Sequence, residues 1–127
     1  MHNETIEIKG YEPELNINRL MGLNRIRYGK SSGATKFAYD CVMIIRAHLN
    51  LRGIKFTNPE SIEVHLKVFR PMPNVDAQNF TKAFWDIVEQ AIGINDKYFK
   101  TSAEAIDPAG PDDKEFYPHF EITIRGE

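Results

Sequence analysis

Alternation of polar and apolar residues constrains the fold of this chain more than any other feature. It is clearest in Ser61–Phe69, where Ile62, Val64, Leu66 and Val68 recur two residues apart. Successive side chains of a strand point to opposite faces, so these four share one face, and that face needs a cover. Glu4–Lys9 and Phe116–Ile124 alternate in the same way and read as the first and last strands. Tyr98–Ile106 alternates more weakly and reads as a further strand.

Two segments change to helical spacing. Ala34–Leu51 has apolar residues at 37, 41, 44, 45 and 49, and Gly53 is a natural stop. Ala77–Ile92 carries a stripe of Ala77, Phe80, Phe84, Ile87, Val88 and Ala91, with Asp76 as N-cap and Gly93 as terminator. Pro71 and Pro73 end the strand before it. Residues 10–33 hold Pro13, Gly22, Gly29 and Gly33 and read as a long irregular loop, a kind that tends to be functional. Asp107–Lys114 reads as a polar turn. The order β–loop–α–β–α–β–β predicts a single α+β domain, one mixed β-sheet with two helices packed on it.

The composition fits a globular domain. Of 127 residues, 42% are hydrophobic and 27% charged, too apolar for disorder. The longest apolar run, Cys41–Ile45, is far too short to span a bilayer, and no secretory leader is recognisable at the start. A lone cysteine excludes an intrachain disulfide, and Cys41 reads as a buried small hydrophobe. These features predict a cytoplasmic protein without membrane attachment.

Charge is unevenly placed. Residues 1–56 hold nine Lys/Arg against five Asp/Glu, whereas residues 57–127 hold seven against thirteen. Within the basic half, Arg19, Arg25, Arg27, Lys30 and Lys36 fall in a stretch with no acid. A basic segment beside an acidic body suits a nucleic-acid enzyme with a carboxylate metal site, although charge runs are more often solvated faces.

The densest chemistry lies from Asn74 to Asp96. Asn79, Lys82 and Asp86 are spaced to share one polar stripe, Asp76 precedes that helix, and Asn95 and Asp96 follow it. If the sheet returns Asp96 to the stripe, two or three carboxylates meet one lysine. Hard cations such as Mg²⁺ take oxygen ligands of this kind, and Lys82 would face the charge that grows on a phosphate. Each residue also has a plainer role: Asp76 as a cap, Lys82 and Asp86 as a surface pair, Asn95–Asp96 as a turn. His2, His48, His65 and His119 lack ligand spacing.

Taken together these residues resemble the RusA-like Holliday-junction resolvases. That family carries Asp-x-Asp-Asn-x-x-Lys, a helix with a further Asp, and an Asp-Asp pair leading into a strand. The matching residues are Asp76, Gln78, Asn79 and Lys82, then Asp86, then Asn95 and Asp96. The likeness extends weakly over the chain, through Pro13 and Asn16, the basic loop and Phe69-Arg70-Pro71. The resemblance implies an endodeoxyribonuclease that cuts four-way DNA junctions with Mg²⁺, or Mn²⁺, as a homodimer. It implies Asp76, Lys82 and Asp96 as catalytic, and Asp76, Asp96, Gln78 and Asp86 around the metal. Arg19, Arg25, Arg27, Lys30, Lys36 and Asn79 are expected on the DNA. Trp85, off the main stripe, is expected at the dimer interface. Two positions depart from the pattern: Gln78 replaces a catalytic aspartate and Asn95 the first of the Asp-Asp pair. A dimer that binds branched DNA without cutting is the alternative, and an unrelated protein-interaction module a third.

Overall fold

The computed structural model describes residues 1–15 and 33–127. Its strands are β1 (His2–Ile8), β2 (Glu63–Phe69), β3 (Lys100–Ile106) and β4 (His119–Gly126), and its helices α1 (Gly33–Leu51) and α2 (Thr81–Ile92). Short 3₁₀ turns stand at Pro13–Leu15, Pro59–Ser61, Ala77–Phe80 and Asp96–Tyr98. The strands form one sheet in the order β1-β4-β2-β3. β4 is antiparallel to both β1 and β2, and β2 is parallel to β3. The expected α+β architecture, a mixed sheet with two helices, is therefore present.

Alternation dictates which face is covered. Ile6 and Ile8, Val64, Leu66 and Val68, and Phe120, Ile122 and Ile124 are all buried. They join Ala38, Cys41, Val42, Ile45 and Leu49 of α1 and Ala83, Phe84, Ile87 and Val88 of α2 in one core. Phe120 is its hub, with ring centroids 4.6 Å from Phe84, 5.3 Å from Phe80 and 5.2 Å from Tyr11. Burial pushes the Cys41 thiol up to about 12, so it stays protonated and behaves as an apolar group.

Three details differ from the sequence expectation. The buried stripe of α1 runs through 38, 41, 42, 45 and 49, which leaves Ile44 40% exposed and Phe37 half-buried. Met43 and Leu51 also face outward, at 59% and 88% exposure. The helix expected from Ala77 begins as a 3₁₀ turn, and α2 proper starts at Thr81. The last strand starts at His119 rather than Phe116 because Asp113 holds the preceding turn, accepting from the backbone N–H groups of Glu115 and Phe116.

Gly93 ends α2 in a left-handed conformation, φ 74°, and its N–H donates to the Glu89 carbonyl at 2.8 Å. A side chain is strained there, which explains why glycine marks the reversal into β3.

Candidate functional site

β2 leads through residues 70–76 into α2, which runs back along the sheet and feeds β3. This path sets where each expected site residue stands. Asp76 lies at the end of β2, and Asp96 just before β3 begins beside the start of β2, where the Lys100 N–H donates to the Ile62 carbonyl. Between them α2 has twelve residues, a rise of about 18 Å. One chain therefore does not bring Asp76 and Asp96 together.

At the first end, Asp76 acts as a cap. Its Oδ1 accepts from the Gln78 N–H at 3.0 Å, at the N-terminus of the 3₁₀ turn. Arg70 fixes the approach: Nε and one terminal nitrogen donate to the two oxygens of Asp107 at 2.5 and 2.9 Å, and the other donates to the Val75 carbonyl at 2.7 Å. The hydrogen bond from Arg70 holds the Asp107 carboxyl below its ordinary range. The same hydrogen bond raises the Arg70 guanidinium, and the charges of Asp107 and Asp76 add to it. Gln78 is exposed, Asn79 half-buried, and Lys82 exposed in the first turn of α2.

At the second end, Asp86, Glu89 and Asp96 face one another. The Asp96 N–H donates to Glu89 Oε1 at 2.8 Å, and Asp86 Oδ2 accepts from Gln90 Nε2 at 3.2 Å. Burial raises the Asp96 carboxyl above its usual range, and the charges of Glu89 and Asp86 raise it further. Asp86 thus pairs with Gln90, and the surface pair with Lys82 does not form. Asn95 Oδ1 accepts from the Lys97 N–H at 2.9 Å and makes the turn into Asp96–Tyr98. Among the described residues, no group of three His, Cys, Asp or Glu side chains closes on a point that could hold a metal ion. The carboxylates at this end offer hard oxygen donors of the kind Mg²⁺ takes.

Arg19, Arg25, Arg27 and Lys30 lie outside the described residues. Lys36 is exposed on α1 and pairs with Asp40 at 3.0 Å. Trp85 is half-buried and packs against the core. No described helix is long and apolar enough to cross a membrane.

Sequence reasoning missed Glu89, which looks like one more surface acid until the reversal at Gly93 folds Asp96 back onto it. It also missed how the histidines are used. His48 Nε2 meets the buried Glu4 at 3.0 Å, His65 Nε2 stands 3.6 Å from Glu104, and His119 Nε2 stands 3.4 Å from Glu7. All three pairings depend on the way helix and strands align, which residue spacing within one segment does not reveal.

The chain matches no family model and no curated protein.

Proposed function

We propose that this chain is a divalent-metal-dependent endonuclease acting on branched DNA, as its resemblance to the RusA-like resolvases implies, and that it works as a homodimer sharing each active site between two copies. The observation that carries this reading is the placement of Asp76 and Asp96 at opposite ends of α2. A two-fold axis crossing α2 at a right angle sets the Asp76 end of one copy against the Asp96 end of the other, and generates two equivalent sites. Two sites related in this way suit paired cuts in a junction that is itself nearly two-fold symmetric. The outward Met43, Ile44 and Leu51 of α1 support association, since apolar side chains on one helix face favour burial against a second copy.

Within such a site Asp96, with Asp86 and Glu89 beside it, meets Asp76 and the carbonyl oxygen of Gln78. A bound Mg²⁺ or Mn²⁺ would activate water and neutralise phosphate charge. Lys82, exposed in the first turn of α2, would add positive charge beside the scissile phosphate, and the basic residues from Arg19 to Lys36, with Asn79, would hold the DNA. The buried, protonated Cys41 is compatible with a reducing cytoplasm.

A second reading, a dimer that binds junctions without cutting them, is favoured by one observation. The Asp76 carboxylate is already engaged as a cap, and Gln78 brings no charge to replace it. A labelled four-way junction incubated with the protein in Mg²⁺, Mn²⁺ or EDTA separates the two. Cleavage with either metal and none in EDTA supports the nuclease, whereas tight binding without cleavage supports the second reading. A protein with no affinity for branched DNA removes both.

A further inference from the structure

The face of the sheet away from the helices is open, and strand register orders its side chains into rows. Arg125, Glu63 and Lys100 stand side by side on β4, β2 and β3, Thr123, His65 and Ser102 form the next row, and Glu121, Lys67 and Glu104 the one after. A cleft of about 480 Å³ lies over the first two rows and reaches Lys67. Its lining holds three cations, His65 and several hydroxyls against a single carboxylate, Glu63.

The cations are not equivalent. Lys67 stands between Glu104 at 3.9 Å and Glu121 at 3.8 Å, so its charge is already answered. Lys100 and Arg125 make no ion pair among the described residues, and both are exposed. Lys100 and Arg125 therefore stand on either side of Glu63, in the row next to the hydroxyl and imidazole groups. His65 Nδ1 lies 2.6 Å from Ser102 Oγ, while its Nε2 faces Glu104. The ring tautomer decides which of the two donates, and where Nδ1 donates, the serine hydroxyl proton is left to meet an anion.

We propose that this open face carries an oxyanion site for phosphate groups, with Lys100 and Arg125 as the charged clamps and Ser102, Thr123 and His65 as the polar floor. Neither carboxylate end of α2 takes part, so the site lies beyond the proposed nuclease centre. Its ligand is a phosphate group, supplied either by a nucleic-acid backbone or by a free phosphate or monoester.

The test uses the full chain in EDTA, where loss of metal-dependent cleavage has no bearing on the result. Inorganic phosphate and dimethyl phosphate are each titrated against chloride at fixed ionic strength, followed by amide and imidazole NMR shifts. The expected result is saturable binding, roughly millimolar, with shifts centred on His65, Ser102 and Thr123. The K100E/R125E variant should bind about tenfold more weakly or worse, with K100Q/R125Q intermediate and both melting like the parent. Binding of both anions assigns a backbone phosphodiester; binding of inorganic phosphate alone assigns a free phosphate or monoester. Absence of saturable binding, shifts centred on another surface, or unchanged affinity in both folded variants overturns the proposal.

Discussion

Asp76 and Asp96 stand at opposite ends of α2, one capping the turn that leads into it and the other following the glycine that ends it. Residues that match one motif in sequence are thus divided by a helix in space. On the proposed function, the division turns a question about ligands into one about assembly, because a second copy in antiparallel alignment would supply the missing aspartate.

The hold of Glu4 predicts an acid-sensitive fold. Burial alone would raise this carboxyl, but hydrogen bonds from His48 and Arg52, together with their charges, outweigh it and leave it below its ordinary value. A carboxyl depressed in the folded state adds stability above its unfolded pKa and loses it as pH falls through the folded value. The wild type should therefore exceed Glu4→Gln in denaturation midpoint at neutral pH, and the gap should shrink as pH falls through and below the ordinary carboxylate range. Urea titrations across that range check this. A gap that widens towards acid contradicts the assignment.

Phe120 is fully buried where β4 meets both helices, with Phe37, Phe80, Phe84 and Tyr11 around it. Phe120→Ala should cost about 3–5 kcal/mol, since the rigid neighbouring rings cannot fill the void. In a domain whose total stability is on the order of 5–15 kcal/mol, that brings the fold close to its limit. Equilibrium unfolding measures it directly, and a loss below about 1 kcal/mol would mean the ring cluster is loosely packed.

Much of this core was legible because period-two patterns survive in β2 and β4, where one face is fully covered. Ile62, Val64, Leu66 and Val68 are buried as their alternation implies. The α1 stripe was less legible, because Phe37, Met43, Ile44 and Leu51 make the helix apolar on more than one side, and period alone does not say which side meets the sheet. For the site, the motif named Asp76, Gln78, Lys82 and Asp96 but carried no information on distance. Placing them requires the direction of α2 relative to the strands, which tertiary packing decides. Glu89 and the three His–Glu pairs were invisible for the same reason.

The repulsion around Asp96 predicts a gain on neutralising it. Without divalent metal, Asp96→Asn should stabilise the fold by a few tenths of a kcal/mol, the scale of an exposed like-charge contact. Magnesium should raise the melting midpoint of the wild type more than that of the variant. Equal metal responses would place the cation elsewhere.

Gln78 offers a gain-of-function test. Gln78→Asp adds a carboxylate beside Asp76 and should lower the Mg²⁺ concentration needed for half-maximal cleavage several-fold. General damage to the fold cannot produce that outcome. A less active Gln78→Asp, with native protein cutting robustly, would show that the amide oxygen is the required donor.

The central claim is that each active site is completed by two copies, and mixing two dead variants tests it most directly. Asp76→Asn and Asp96→Asn should each abolish cleavage alone while still binding junctions. Co-refolded in equal amounts, half the dimers are mixed, and each mixed dimer carries one site with both aspartates intact. The mixture should recover about a quarter of wild-type cleavage per site, chiefly as single nicks. If both aspartates instead serve the same site from one chain, no mixed dimer holds an intact site. A mixture as inactive as its parents, with mixed dimers demonstrated by mass, would contradict the shared site.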